Sequence, residues 1–473
     1  MRAVFLRFKR NFWEKKMAEV SIKIDHIISD LIEEKKFSTI KDILSTISAS
    51  EVCVLFEHIE KHHVPMVFRL LPKDTAADAF MEMDSDFQEM LIRSFSDSEL
   101  KAILDELYAN DTADIIEEMP ANVVDRILNQ VDPSIRKDIN QLLQYPENSA
   151  GSIMTTEYVS LRLGTTVGEA INHIRRTGID KKSFYACYVT QNKKLIGRLS
   201  VKDLLLAKDD TTKIDDLMKT NVISVNTLDD KEEVAKLLSQ YNYYALPVVD
   251  KDGRMVGIIS FDDALEVMED EATEDIEIMG GMTPSEKTYL RSTPFDLFRH
   301  RIVWLLLLMV SATFTGLIIT NFESALAVQV VLTAFIPMLM DTGGNSGSQS
   351  SVTIIRALSL GEIEFRDIPK IIAKEIFTAL LCGLVLALAC CVKMMVVDRF
   401  LLGNTDVTPS VVAVVCLTMC LTVVVAKLIG CSLPLIAKRL GFDPAVMASP
   451  FITTIVDAVS LLVYFGIATL VLF

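Results

Sequence analysis

No histidine follows His300 in this chain of 473 residues, and no two cysteines are spaced CxxC. The first absence excludes an HExxH metalloprotease or a histidine-lined transition-metal site in the C-terminal part, and the second leaves no zinc or thiol-redox motif. There is no GxxxxGK[ST], hence no P-loop for nucleotide hydrolysis. Met1–Met17 is basic, but its longest apolar run is Ala3–Leu6, too short for a secretory signal. A start at Met17 would leave that reading unchanged. No nucleophile–base pair or cofactor motif is present, so the chain does not read as an enzyme. Net charge is missing at one end only. From Arg301 onward ten Lys/Arg balance ten Asp/Glu, so the first 300 residues hold the whole net charge of -16. An acidic surface repels nucleic acid and attracts cations, which rules out a nucleic-acid partner.

The neutral part is rich in long uncharged runs. Ile302–Thr320 has 19 residues, Val407–Ala426 has 20, and Ser324–Met340 and Ile376–Val392 have 17 each. Pro444–Phe473 is interrupted only by Asp457. A bilayer core needs ~20 apolar residues per helix. The runs predict a transmembrane domain over 300–473 with five spans, about 302–320, 324–345, 371–397, 407–430 and 445–470. Arg356, Arg366, Lys370, Lys374, Lys427, Lys438 and Arg439 fall in loops on one side. Positive-inside counting then puts the N-terminus in the cytoplasm and the C-terminus outside. Six of the eight cysteines lie in this apolar part and read as small buried hydrophobes.

Two features of the apolar part carry chemistry. Ser449, Thr453, Asp457, Ser460 and Tyr464 are spaced 4, 4, 3 and 4, which predicts one polar face on the last span. An acid at mid-membrane costs ~2.5–3.5 kcal/mol on insertion scales, so Asp457 needs a polar path or a partner. Polar helix–helix contact would explain the hydroxyls but not the acid. The second feature is Pro337 to Ser351, with Gly343, Gly344, Asn345 and Gly347. Its proline and glycines predict a broken helix, where small residues let an ion or another helix reach the backbone. Freed carbonyls, Asn345 and carboxylates are oxygen ligands, suited to a hard cation such as Mg²⁺ or Ca²⁺.

The soluble part begins with an N-terminal extension, 1–19, and an acidic helical module, 20–150, whose apolar residues recur at three and four. His62-His63 reads as solvated surface in it. A duplicated unit follows: Met154-Thr155-Thr156 matches Met218-Lys219-Thr220 at an offset of 64, and Leu195–Asp203 matches Met255–Asp263 at 60. Each copy reads strand, helix, strand, tight turn, strand, helix. The pair resembles tandem CBS domains, 151–212 and 213–270, which implies a sensor of adenine nucleotides or cations. Asp203 and Asp263 open helices, where capping is the plainer role. From Glu266 to Glu277 seven of twelve residues are acidic without basic partners at helical spacing.

With Glu271-Ala272-Thr273-Glu274-Asp275, Gly343-Gly344-Asn345-x-Gly-x-Gln349, and Gly441-Phe442-Asp443-Pro444 fourteen residues before Asp457, the chain resembles the MgtE family of magnesium channels over nearly its whole length. The resemblance implies a multi-domain membrane protein: an all-α superhelical module, an α/β CBS pair, a connecting plug helix in 271–299 (about Glu271–Arg291), and a five-helix membrane domain. It implies a homodimer in the bacterial cytoplasmic membrane, with lipid and divalent cations as its partners and the pore on the two-fold axis. Asp457, Asp341, Gly344, Asn345, Ser449 and Thr453 then form the pore set. Ser449 stands where the family pattern can carry Asn, and Asp341 where some members carry Gly. Asp263, Glu266, Glu271, Glu274 and Asp275, with Asp111 and Asp114 of the helical module, form the regulatory set. Their mutual repulsion opens the pore, and Mg²⁺ bridging closes it. A coupled divalent-cation transporter of the same architecture and a membrane-anchored CBS sensor without transport are the alternative readings.

Overall fold

The computed structural model describes residues 27–178, 181–285, 289 and 292–472, so the extension 1–19 lies outside the described residues. The chain divides into two units, Met1–Met268 and Glu269–Phe473.

In the first unit the acidic module is a run of short helices from Phe37–Leu44 to Pro133–Leu142. Their starts are written locally. Ser48/Glu51 and Ser96/Glu99 form capping boxes, each closing two of the N–H groups that a helix start leaves unpaired. Pro72 and Pro120 stand at N-caps, and Pro133 opens its helix in the first turn, where its missing N–H costs nothing. One of these helices, α1 (Ala109–Glu118), buries Ala109, Ala113, Ile115 and Ile116 and leaves Asp111 and Asp114 off its apolar stripe.

Two three-stranded sheets follow. The first joins β1 (Tyr158–Arg162), β2 (Ser183–Gln191) and β3 (Lys194–Ser200), with α2 (Val167–Thr177) between β1 and β2 and α3 (Val201–Leu205) after β3. The second repeats this as β4 (Val225–Asn226), α4 (Lys231–Tyr241), β5 (Ala245–Val249), β6 (Met255–Ser260) and α5 (Phe261–Met279). In both sheets the first pair is parallel and the second antiparallel. The hairpin turn of the first copy holds Asn192 and Lys193 at φ of 51° and 66°, and that of the second holds Gly253 at 74°. Both satisfy the left-handed demand of a tight hairpin. One apolar core runs from the helical module into the second copy, through Val234, Leu238, Leu246, Val248 and Ile259. The sheets meet at buried Tyr188, whose hydroxyl donates to the Ala245 carbonyl at 3.1 Å.

Helix α5 corrects the expected plug. It is continuous with the second copy from Phe261 and ends at Met279, where Gly281 at φ 71° turns the chain. Residues 286–288, 290 and 291 of the expected plug lie outside the described residues.

The second unit contains α6 (Pro294–Asn321), α7 (Ile336–Ser359), α8 (Ile368–Lys393), α9 (Pro409–Leu440) and α10 (Ser449–Leu472). Four helical stretches among the described residues are long and apolar enough to cross a membrane: Pro294–Asn321, Phe365–Leu401, Pro409–Leu440 and Pro444–Leu472. The expected second span, 324–345, is not one helix. Glu323–Val328 and a 3₁₀ stretch, Val330–Phe335, lead into α7, which runs on to Ser359.

Nor does α7 break. Pro337 sits in its first turn, where no helical bond is lost, and the glycines serve close packing instead. A Cβ on Gly343 would lie 2.8 Å from both Ser460 Oγ of α10 and Thr422 Cγ2 of α9. A Cβ on Gly430 of α9 would lie 2.2 Å from the Gly347 carbonyl oxygen. Small residues let three helices meet nearly backbone to backbone, the usual device for helix contact in lipid.

We predict that Gly430→Ala lowers the thermal midpoint of the full-length protein in detergent, at a cost of about 1–3 kcal/mol, because overpacking forces the helices apart. Gly466, with nothing within 4 Å of its virtual Cβ, is the control, and Gly466→Ala leaves the midpoint unchanged. Equal midpoints in the two variants would refute the close crossing of α7 and α9.

Candidate functional site

The intramembrane candidates gather on α7 and α10. Asp457 is half-buried on α10, and Asp341 is exposed on α7. Their carboxylates are close enough to repel one another. The Asn345 amide Nδ2, one turn along α7, donates to Asp341 Oδ1 at 2.9 Å, so Asp341 is held by its own helix. The structure thus brings Asp341, Asn345 and Asp457 into one neighbourhood. The freed carbonyls expected near Gly344 are not there, because an unbroken helix spends its carbonyls on its own i→i+4 bonds. Gly344 is buried, and its virtual Cβ points at Thr453 Cγ2, 3.0 Å away. Its smallness admits the close approach of α10. Thr453 donates its hydroxyl to the Pro450 carbonyl at 3.0 Å. Ser449 opens α10, and its side chain lies outside the described residues.

The polar face of the last span divides in two. Ser460 is buried and reaches the gap at Gly343, and buried Tyr464 donates to the Leu332 carbonyl at 3.0 Å. Those two hydroxyl groups join helices within the unit, while Thr453 and Asp457 keep partial exposure. The expected continuous polar path is therefore shorter than its spacing suggested.

A second polar group was missed. Ser350 Oγ of α7 donates to Glu375 Oε2 of α8 at 2.6 Å, and Lys427 Nζ of α9 donates to Ser350 Oγ at 3.3 Å. Lys427 is only 5% exposed, which corrects its assignment to a loop. The signal was available: extending the helical pattern of 407–426 to Leu440 places Lys427 inside the helix. Ionisable groups among apolar helices are costly and pair with one another.

In the first unit, Asp111 of α1 and Asp263 of α5 are brought together by a residue that the sequence reading missed. Lys182 Nζ donates to Asp263 Oδ1 at 2.7 Å and to Asp111 Oδ1 at 3.3 Å, and lies 5.7 Å from the centroid of the Tyr108 ring. The three charged side chains are only 13–17% exposed. Burial works against the ammonium charge, but Asp263 and Asp111 outweigh it and hold the Lys182 pKa above its ordinary value. Asp263 also caps α5, accepting from Ser260 N and Oγ at 3.1 and 2.7 Å. Asp203 does the same with Ser200, and its role is the cap alone among the described contacts.

Asp114 retains an open edge, yet loss of hydration and then the charges of Asp111, Glu266 and Glu117 push its pKa up to about 7. Burial also raises Asp111, against the pull of Lys182. Asp111, Asp114, Asp263 and Glu266 therefore form one acidic neighbourhood. Glu271, Glu274 and Asp275 belong to the other unit, where the Ser359 hydroxyl lies 3.4 Å from Asp275 Oδ2. Glu60, His62 and His63 place ligand atoms within 4.8 Å of one another, with Glu60 and His62 exposed and His63 half-buried.

Comparison with known proteins gives these groups a context. Residues 336–467 match the family described as divalent cation transporter, MgtE; residues 47–148 match the MgtE intracellular N domain, and 150–210 and 214–270 match CBS domains. The chain is 35% identical to the magnesium transporter MgtE of Thermus thermophilus over 94% of its own length and 98% of that protein. It is 31% identical to the magnesium transporter MgtE of Bacillus subtilis, over 93% and 95% respectively. Among solved structures, the cytosolic domain of the Mg²⁺ channel MgtE in complex with ATP is 34% identical, with a TM-score of 0.49, covering 50% of this chain and 98% of that one. Relatives of this identity over nearly the full length leave one conclusion: the chain is a member of the MgtE family of divalent cation transporters.

Proposed function

We propose that the protein is a Mg²⁺-selective uptake channel of the bacterial cytoplasmic membrane, acting as a homodimer and closed by cytosolic Mg²⁺. The observation that carries the pore half is the nearness of Asp341 and Asp457 on two helices that pack together. Two carboxylates sharing an apolar surrounding repel each other, and a divalent cation relieves the repulsion. Mg²⁺ dehydrates reluctantly and is held through its waters by few carboxylates, so a sparse oxygen site suits it. Five crossings, with the N-terminus inside and the C-terminus outside, complete the arrangement. The gate rests on Asp114 and Glu266, beside Asp111 and Asp263, which Lys182 holds, together with Glu271, Glu274 and Asp275 on α5. Ion bridging favours a compact closed state, and a shift from 1:99 to 99:1 needs ~5.5 kcal/mol of differential binding, within reach of several weak sites acting together. The buried Lys427–Ser350–Glu375 group favours a second reading, coupled transport, because ionisable groups in the bilayer are the usual carriers of a driving proton. Current through the purified protein without proton or Na⁺ dependence decides for the channel.

We predict that Asp457→Ala abolishes Mg²⁺ flux into liposomes while the protein still inserts and dimerises, and that Asp457→Asn lowers flux or selectivity. Undiminished flux in Asp457→Ala would remove that residue from the pore. For the gate, neutralising Glu271, Glu274 and Asp275 together leaves a channel that high internal Mg²⁺ no longer shuts; normal closure in inside-out patches would defeat the assignment.

Asp114 yields a pH test. Its folded pKa of about 7 stands above the ordinary 3.8, so the folded state holds the extra proton. The stability it contributes is complete below pH 3.8 and is lost as pH rises through about 7. In EDTA the cytosolic melting transition should fall between pH 5 and pH 8, and Asp114→Asn should flatten that slope. An unchanged slope in the variant would assign the effect to other groups.

A further inference from the structure

We propose that Lys182 is a built-in counter-cation that fills the space between Asp111 and Asp263, holding the helical module on the CBS pair without a divalent ion. The ammonium comes from the chain between α2 and β2 of the first CBS copy and reaches one carboxylate of the helical module and one of the second copy. One side chain thereby ties three modules of the same unit.

The site is complete without a metal. Asp111 Oδ1 accepts from Lys182 and from Asn110 Nδ2 at 2.9 Å, and its Oδ2 accepts from Tyr108 N at 3.3 Å. Asp263 Oδ1 accepts from Lys182, and its Oδ2 accepts from Ser260 N and Oγ. All four carboxylate oxygens are engaged, and the Tyr108 ring lies within cation–π range of the ammonium. A divalent ion here would have to displace Lys182 and leave its ammonium without these partners in a pocket that is mostly closed to water. A carboxylate beside this pocket, Asp114, has no such cation bonded to it among the described contacts, and burial and then its acidic neighbours raise its pKa. The cation response of the cluster thus passes to Asp114 and Glu266, a consequence that rests on the gating reading above, whereas the Lys182 tie does not.

The test is hydrogen exchange of residues 109–118 in the full-length protein in detergent, with EDTA or with millimolar Mg²⁺. The wild type should be protected in both. Lys182→Met should exchange about tenfold faster in EDTA, an opening of the module from the CBS pair, and regain protection in Mg²⁺, which enters the vacated space between two carboxylates. Lys182→Arg should behave as the wild type. Protection of Lys182→Met in EDTA would overturn the proposal, and so would loss of protection that Mg²⁺ does not restore, since that marks a packing role alone. A measurement on the wild type covers a variant that fails to fold: amine acetylation in EDTA should spare Lys182 relative to exposed Lys202, and equal labelling would also overturn the tie. Mg²⁺ closure of wild-type flux, measured separately, reports on the gating reading; its absence with an intact exchange pattern would sink that reading and leave the tie standing.

Discussion

Like charges crowded where water is scarce set the terms for both units. Asp341 and Asp457 sit among apolar helices, and Asp111, Asp114, Asp263 and Glu266 converge where the helical module meets the CBS pair. A carboxylate in such a place has three routes to relief: a proton, a fixed cation or a bound one. The cytosolic cluster uses at least two of them. Asp263 and Asp111 hold Lys182, and Asp114 leans toward its proton near neutral pH. No lysine or arginine is ion-paired to Asp341 or Asp457 among the described contacts.

Backbone proximity is the second constraint. Packing in lipid gains little from the hydrophobic effect, so α7, α9 and α10 rely on contact. Gly343, Gly344, Gly347 and Gly430 supply it by having no side chain to hold the helices apart. The same glycines that would suit a broken, ion-lining loop suit an intact helix pressed against two neighbours. Their positions relative to Thr453, Ser460 and Thr422 decide for the second. The protein is a transporter by family and not an enzyme.

Much was legible without coordinates. The repeat at offsets of 60 and 64 gave the two matching sheets, because each copy carries its own turn residues and caps. Charge segregation separated an acidic part from an apolar one, and the lone acid of the last span marked Asp457. Of the seven acids named together, Asp111, Asp114, Asp263 and Glu266 lie together, while Glu271, Glu274 and Asp275 fall in the other unit. The plug helix was drawn too long at its C-terminal end, since the Gly280-Gly281 stop was passed over.

What the sequence determined by itself is what depends on near neighbours: helix starts, hairpin turns, the period of apolar residues and the placing of net charge. Tertiary structure alone decided which distant groups meet. Lys182 stands 71 residues from Asp111 and 81 from Asp263, and Lys427 stands 77 from Ser350. No local pattern ties such partners, because an ion pair between elements leaves no period in either. Whether Ser460 and Tyr464 line a path or join helices was likewise beyond the spacing of one helix. A helix has the same polar face whatever packs against it, and only the approach of Gly343 and Leu332 turned that face inward.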